Sequence, residues 1–231
     1  MPQQPRTFQA QITKTVSLNY LLSLPKDFGR DSAQRFPLIF FLHGVGERGD
    51  DLEKLKQEGL PKLLETAPDF LNPFVVVSPQ CPAESDWSLE MDALIALVDD
   101  AIEKYAIDPQ RVYLTGLSMG GRGAWQLAAL HPNYFAALAP ICGARPEILR
   151  RAERRNLIKQ IPTWVFHGEQ DTRVPVSESI NLFNDLKECG ANIQLTLYPD
   201  LRHDSWTRTY ENPKLYDWLL AQRRGNYDAS D

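Results

Sequence analysis

The stretch YLTGLSMGGRGAW, residues 113–125, runs a short apolar segment directly into a serine fenced by glycines. With Arg111 and Val112 before it, the apolar part reads as a buried strand, and the residues after Ser118 carry a helical pattern. A chain that passes from strand to helix at one residue strains that residue's backbone. Its neighbours must then lack bulk, and Gly116 and Gly120 meet that need. Two readings fit. One is a plain tight turn; the other is a Gly-x-Ser-x-Gly elbow that pushes the Ser118 hydroxyl out as a nucleophile. The strand before and the helix after are what an elbow requires, and they favour the second.

Outward from this turn, apolar runs alternate with helical patterns. FPLIFFLHG (36–44) and FVVVSPQ (74–80) are continuous apolar runs, as in strands buried on both faces. FAALAPICG (135–143), PTWVFHG (162–168) and NIQLTLYP (192–199) repeat the pattern, and TFQAQITKTVSLNYLLSLP (7–25) predicts one or two extended strands at a sheet edge. Between them, Leu94, Ile95, Leu97, Val98, Ala101, Ile102 and Tyr105 fall on one helical face. Residues 176–189 predict another helix, with Gly190 at its C-cap. Residues 205–224 predict a helix broken at Asn212-Pro213. Such alternation implies an α/β fold, a largely parallel sheet with helices on both faces. With no repeat, low-complexity tract or linker, residues 1–231 read as a single domain.

Composition narrows the function. The 231 residues are 43% hydrophobic and 24% charged, with a formal net charge of −5 and no long like-charge block. That is not the footprint of a nucleic-acid binder. No apolar run reaches ~18 residues and the N-terminus lacks a signal-peptide core, so the expectation is a soluble, cytoplasmic protein without membrane insertion. Cys81, Cys142 and Cys189 are odd in number and widely spaced, which argues against a disulfide framework or zinc ribbon.

Ligands of open α/β sheets bind beyond the carboxyl ends of the strands, and Ser118 stands at one. A serine nucleophile needs a base, and the base an orienting acid. Of the four histidines, His131 reads as helix-terminal, and His43 and His167 as loop-shaping residues in His-Gly pairs. His203, in YPDLRHDSW after the last strand, is the candidate base. Asp171, in FHGEQDTRVP, is the candidate acid in the order Ser, acid, His. Glu169 lies too close to the strand end, and Asp200 and Asp204 flank His203 too closely to orient its ring. An oxyanion needs backbone donors. Met119 follows the nucleophile, and the glycine-rich loop in FLHGVGERGDD (41–51) offers Val45. Trp87 and Trp206 are candidates for stacking on substrate, and Arg48 for meeting a substrate carboxylate; core packing and loop stiffening are the competing readings. Cys142 reads as a buried thiol.

These segments (FLHGVGERG, VYLTGLSMGGRGAW, HGEQDTRVPV and YDWLLAQRR) resemble bacterial α/β-hydrolase esterases, both phospholipase/carboxylesterase-like and feruloyl-esterase-like or polyhydroxybutyrate-depolymerase-like. The resemblance runs from about residue 15 onward. It implies eight mostly parallel strands, no metal and no cofactor. It also puts a triad at Ser118, Asp171 and His203, with oxyanion amides at Val45 and Met119. Only 18 residues, ARPEILRRAERRNLIKQI (144–161), stand where larger lipases insert a lid. One short helix and a minimal lid are expected there, with the RRAERR run as a solvated face. The resulting expectation is a serine carboxylesterase for small, soluble acyl esters. The alternatives are a thioesterase or peptidase with the same triad, or a non-catalytic ligand-binding protein. A dehalogenase-like reaction would require Asp in place of Ser118.

Overall fold

Seven strands form one sheet in the computed structural model, which describes residues 3–225. They are β1 (Tyr20–Ser23), β2 (Phe36–Leu42), β3 (Val75–Pro79), β4 (Ile107–Leu117), β5 (Ala137–Ile141), β6 (Thr163–Gly168) and β7 (Ile193–Tyr198). Their spatial order is β1-β3-β2-β4-β5-β6-β7. Only β1 is antiparallel to its neighbour; every other pairing is parallel. The helices are α1 (Gly59–Thr66), α2 (Met91–Lys104), α3 (Met119–Leu130), α4 (Ala152–Ile158), α5 (Ser177–Glu188), α6 (Trp206–Tyr210) and α7 (Pro213–Leu220).

The continuous apolar runs follow from burial on both faces. In β2, Leu38, Phe40 and Leu42 point into one core with Leu94 and Val98 of α2 and Trp125 of α3. Ile39 and Phe41 point into the other, with Leu60 of α1, Tyr210 of α6 and Leu215 of α7. The period of two along the strand thus divides one apolar run between two cores. Punctuation behaves as its chemistry demands: Gly190 takes a φ of 79° just past α5, and the Asn212 side chain caps α7, whose first residue is Pro213.

The edge differs from expectation. Residues 7–19 form no strand, and β1 is the whole of the expected N-terminal strand region, so the sheet has seven strands among the described residues, not eight. A hairpin needs a turn, and residues 14–19 offer neither Gly nor Pro. Instead Lys14 pairs with Asp92 of α2 at 2.9 Å, Leu18 packs on the core and the Asn19 carbonyl accepts from Gln80 N–H. Phe8 and Ile12 are left exposed. The lid-sized segment forms the one short helix expected, α4, preceded by a 3-10 turn (Glu147–Arg150). Within the RRAERR run Arg150 and Arg151 are exposed and Arg154 and Arg155 half-buried; Arg150 pairs with Glu147, and Arg155 with Asp185.

Candidate active site

Ser118 is the single residue between β4 and α3, at φ 53° and ψ −114°. Positive φ is costly for a serine, and the surroundings impose it. The Ser118 N–H donates to the Ile141 carbonyl at 2.9 Å, while its own carbonyl accepts from Arg122 N–H at 3.0 Å. The flanking glycines are forced by backbone approach. A Cβ on Gly120 would stand 1.9 Å from the Leu42 carbonyl oxygen, and one on Gly116 2.5 Å from that of Gly120.

The loops after β6 and β7 bring two more side chains to this turn. Ser118 Oγ lies 2.9 Å from His203 Nε2, and His203 Nδ1 lies 2.7 Å from Asp171 Oδ2. With Asp171 accepting from Nδ1–H, Nε2 is left to accept from the Ser118 hydroxyl. Asp171 is buried, and its other oxygen accepts from the amides of Arg173 (2.8 Å) and Val174 (3.0 Å). Burial alone would raise its pKa, but the bonds from His203 and these amides hold the carboxyl below its usual range. His167 supports the acid from behind. Its Nε2 lies 3.2 Å from Asp171 Oδ2 and 3.0 Å from the Val174 carbonyl, and its Nδ1 accepts from Ser179 Oγ. Burial lowers its pKa. The rival acids are elsewhere: Glu169 is exposed, Asp200 binds Arg208, and Asp204 accepts from the Thr207 amide. His131 caps the end of α3.

Facing them is the loop after β2. Val45 opens a 3-10 turn (Val45–Glu47) as Met119 opens α3, and amides at the first position of a helix have no intrahelical acceptor. The segment after β3 braces this loop. Gln80 Nε2 donates to the carbonyls of Glu47 (2.9 Å) and Asp51 (2.8 Å). Cys81 N–H donates to His43 Nε2 (2.9 Å), whose Nδ1–H is left for the Gly44 carbonyl. Burial, aided by the charge of Arg48, lowers His43 to about 4.

A cleft of about 380 Å³ opens over Ser118, with Val45, Glu47, Glu58, Arg173, His203 and Trp206 among its walls. Trp206 sets its ring edge-to-face against His203, with centroids 5.4 Å apart, and donates its indole N–H to Glu58 at 3.0 Å. Trp87 and Arg48 require correction as substrate contacts. Trp87 is wholly buried and hydrogen-bonded to the His43 carbonyl, because Gly123 of α3 leaves room for its side chain and the loop carbonyl needs a donor. Arg48 spends its guanidinium on the carbonyls of Val45 (3.2 Å) and Ser85 (2.9 Å); it stiffens the loop, through these carbonyls rather than through Glu47 or Asp50. The sequence reading missed Glu58, Arg173, Gln80 and the bracing part of Trp87. Arg173 had a signal, since it shares the Asp171 turn. Glu58 had none, because its place depends on the path of the 43–58 loop.

The comparisons agree with this architecture. The model of the dienelactone hydrolase family matches residues 82–218. A crystal structure described as that of a thermostable esterase superposes with a TM-score of 0.78 at 35% identity, covering 90% of this chain and 60% of that one. The bifunctional acetylxylan esterase/xylanase XynS20E of Neocallimastix patriciarum is 28% identical over 195 residues, 80% of this chain and 26% of that protein. Dipeptidyl-peptidase 5 of Aspergillus fumigatus (strain CBS 144.89 / FGSC A1163 / CEA10) is 24% identical over 232 residues, 81% of this chain and 31% of that protein. The chain therefore spans a third or less of the length of these two relatives. Among the described residues, no helix is long and apolar enough to cross a membrane.

Proposed function

The chain belongs to the dienelactone hydrolase family, and we propose that it is a serine carboxylesterase acting on small, soluble acyl esters. The observation that carries this reading is the hydrogen-bonded run from Asp171 through His203 to Ser118, at a strained turn opening on a cleft. Ser118 Oγ attacks the ester carbonyl carbon while His203 Nε2 takes its proton. Asp171, held ionised, keeps Nδ1 protonated and offsets the charge on the ring. The carbonyl oxygen, now negative, is received by the Met119 and Val45 amides. His203 returns the proton to the departing alcohol, and then activates the water that frees the acyl group from Ser118.

The cleft walls and the minimal lid favour compact substrates in solution, with Trp206 as the apolar surface beside the nucleophile. Three unpaired cysteines suit a reducing compartment and support a cytoplasmic location. A second reading, peptide-bond hydrolysis by the same groups, draws on the likeness to dipeptidyl-peptidase 5.

The test is initial rates on p-nitrophenyl acetate, butyrate and octanoate beside the Ser118→Ala variant. Turnover lost in the variant and declining with acyl length is expected. Serine-dependent release of p-nitroaniline from dipeptide anilides, without ester turnover, would replace the ester reading by the peptidase one.

A further inference from the structure

Cys142 follows β5 directly, with a left-handed φ of 41° and a fully buried side chain. The proposed mechanism gives it no task, yet it lies against the machinery. Its sulfur, one oxygen of Asp171 and one ring nitrogen of His203 are all within 4.8 Å of one another. Thiolate, carboxylate and imidazole together form a donor set for a thiophilic divalent cation. Donors bound to zinc at about 2.0–2.3 Å stand roughly 3.3–3.8 Å apart in a tetrahedron. The thiol sulfur therefore needs to close on the other two donors by no more than about 1.5 Å, while His203 Nδ1 and Asp171 Oδ2, 2.7 Å apart, need to open by roughly 0.6 Å. Ser205, whose buried hydroxyl faces the thiol, offers an oxygen at the fourth position.

We propose that Cys142, Asp171 and His203 form a binding site for a thiophilic divalent cation, zinc or cadmium, whose occupation switches the hydrolase off. The cation forms bonds to sulfur, oxygen and nitrogen. The thiol proton leaves to solvent, and His203 binds through Nδ1, the nitrogen facing Asp171. The proton from Nδ1 moves to Nε2, so the imidazole stays neutral. A ring protonated at Nε2 cannot accept from Ser118, and the nucleophile loses its base. Access runs through His203, which is 13% exposed at its side chain, rather than through the buried thiol itself.

Binding does not depend on the ester reading; inhibition does, and the two arms of the test separate them. Cadmium chloride is titrated into Ser118→Ala protein in a Cys189→Ser background, because Cys189 is the one partly exposed cysteine among the three. The readouts are calorimetry and the ultraviolet cadmium–thiolate absorption. One cadmium per chain is expected, with an absorption band that disappears on adding Cys142→Ser or Cys142→Ala. No band, or a band that survives both substitutions, overturns the site. In the active protein, the cadmium concentration that halves p-nitrophenyl acetate turnover should rise at least tenfold in Cys142→Ser and Cys142→Ala, each measured against its own metal-free rate. Equal sensitivity with and without Cys142 overturns the switch.

Discussion

Trp87 donates its indole N–H to the His43 carbonyl at 3.0 Å, and both residues are buried. This bond joins the segment after β3 to the loop after β2, the loop that carries Val45. Trp87→Phe keeps most of the packing and leaves the carbonyl without that donor, at a cost of about 1–3 kcal/mol. Urea unfolding reads the stability loss. Ester kinetics should show kcat falling more than KM rises, because in the proposed mechanism this loop presents the Val45 amide to the developing oxyanion. A stability loss with kcat unchanged would show that the loop keeps its shape without the indole.

Asp171→Asn tests the orienting role of the carboxyl. Its neighbours donate to it from the Arg173 and Val174 amides, so an amide can place its NH₂ only toward His203. That NH₂ donates to Nδ1 and moves the ring proton to Nε2, the wrong tautomer for a base. The expected fall in kcat is on the order of 10⁴-fold, with the thermal unfolding midpoint reporting whether the fold survives. A fall below tenfold would mean that another group orients His203, and His167, 3.2 Å from the same oxygen, is the one to substitute next.

Stability should decline with acid well before the carboxylates titrate. Burial lowers His43 to about 4 and lowers His167 as well. The unfolded imidazoles, near ~6.5, therefore bind protons that the folded ones refuse. Stability is complete above that value and is lost as pH falls from about 6.5 to 4, by on the order of 3 kcal/mol for His43 alone. Asp171 adds to the loss lower down, since its depressed pKa makes its contribution present above ~3.9 and lost as pH falls through the folded value. Urea unfolding at pH 7, 5.5 and 4 reads the slope, which His43→Gln should reduce. Equal stability at all three values would rule out neutral buried imidazoles.

Much of the sheet was legible because burial on both faces leaves a plain mark. FPLIFFL and VVVSP contain no charged residue, and both are central strands. The elbow was legible because the tight turn and the neighbouring β2 backbone leave Gly116 and Gly120 no room for a side chain. His203 and Asp171 emerged from chain order and by elimination among few histidines. The side-chain partners across loops stayed hidden. Trp87 could serve a cleft or a core, and only the presence of the His43 carbonyl, 44 residues away, decides which. The N-terminal stretch misled for the same reason: Phe8, Ala10 and Ile12 alternate like a strand, but a strand needs a partner and its alternation does not supply one.

β1 is the one antiparallel strand, and its direction governs how the molecule could be extended. Tyr20 pairs with Pro79, at the carboxyl end of β3, so the chain enters the sheet from the end where the cleft opens. The entry lies three strand spacings from β4 in the order β1-β3-β2-β4, roughly 14 Å. A module fused at the N-terminus would thus be tethered through the segment that enters the sheet at the cleft end. One fused after α7 would follow a helix packed against the core that holds Ile39 and Phe41. Fusion architecture becomes a handle on what reaches the cleft, independent of the groups that line it.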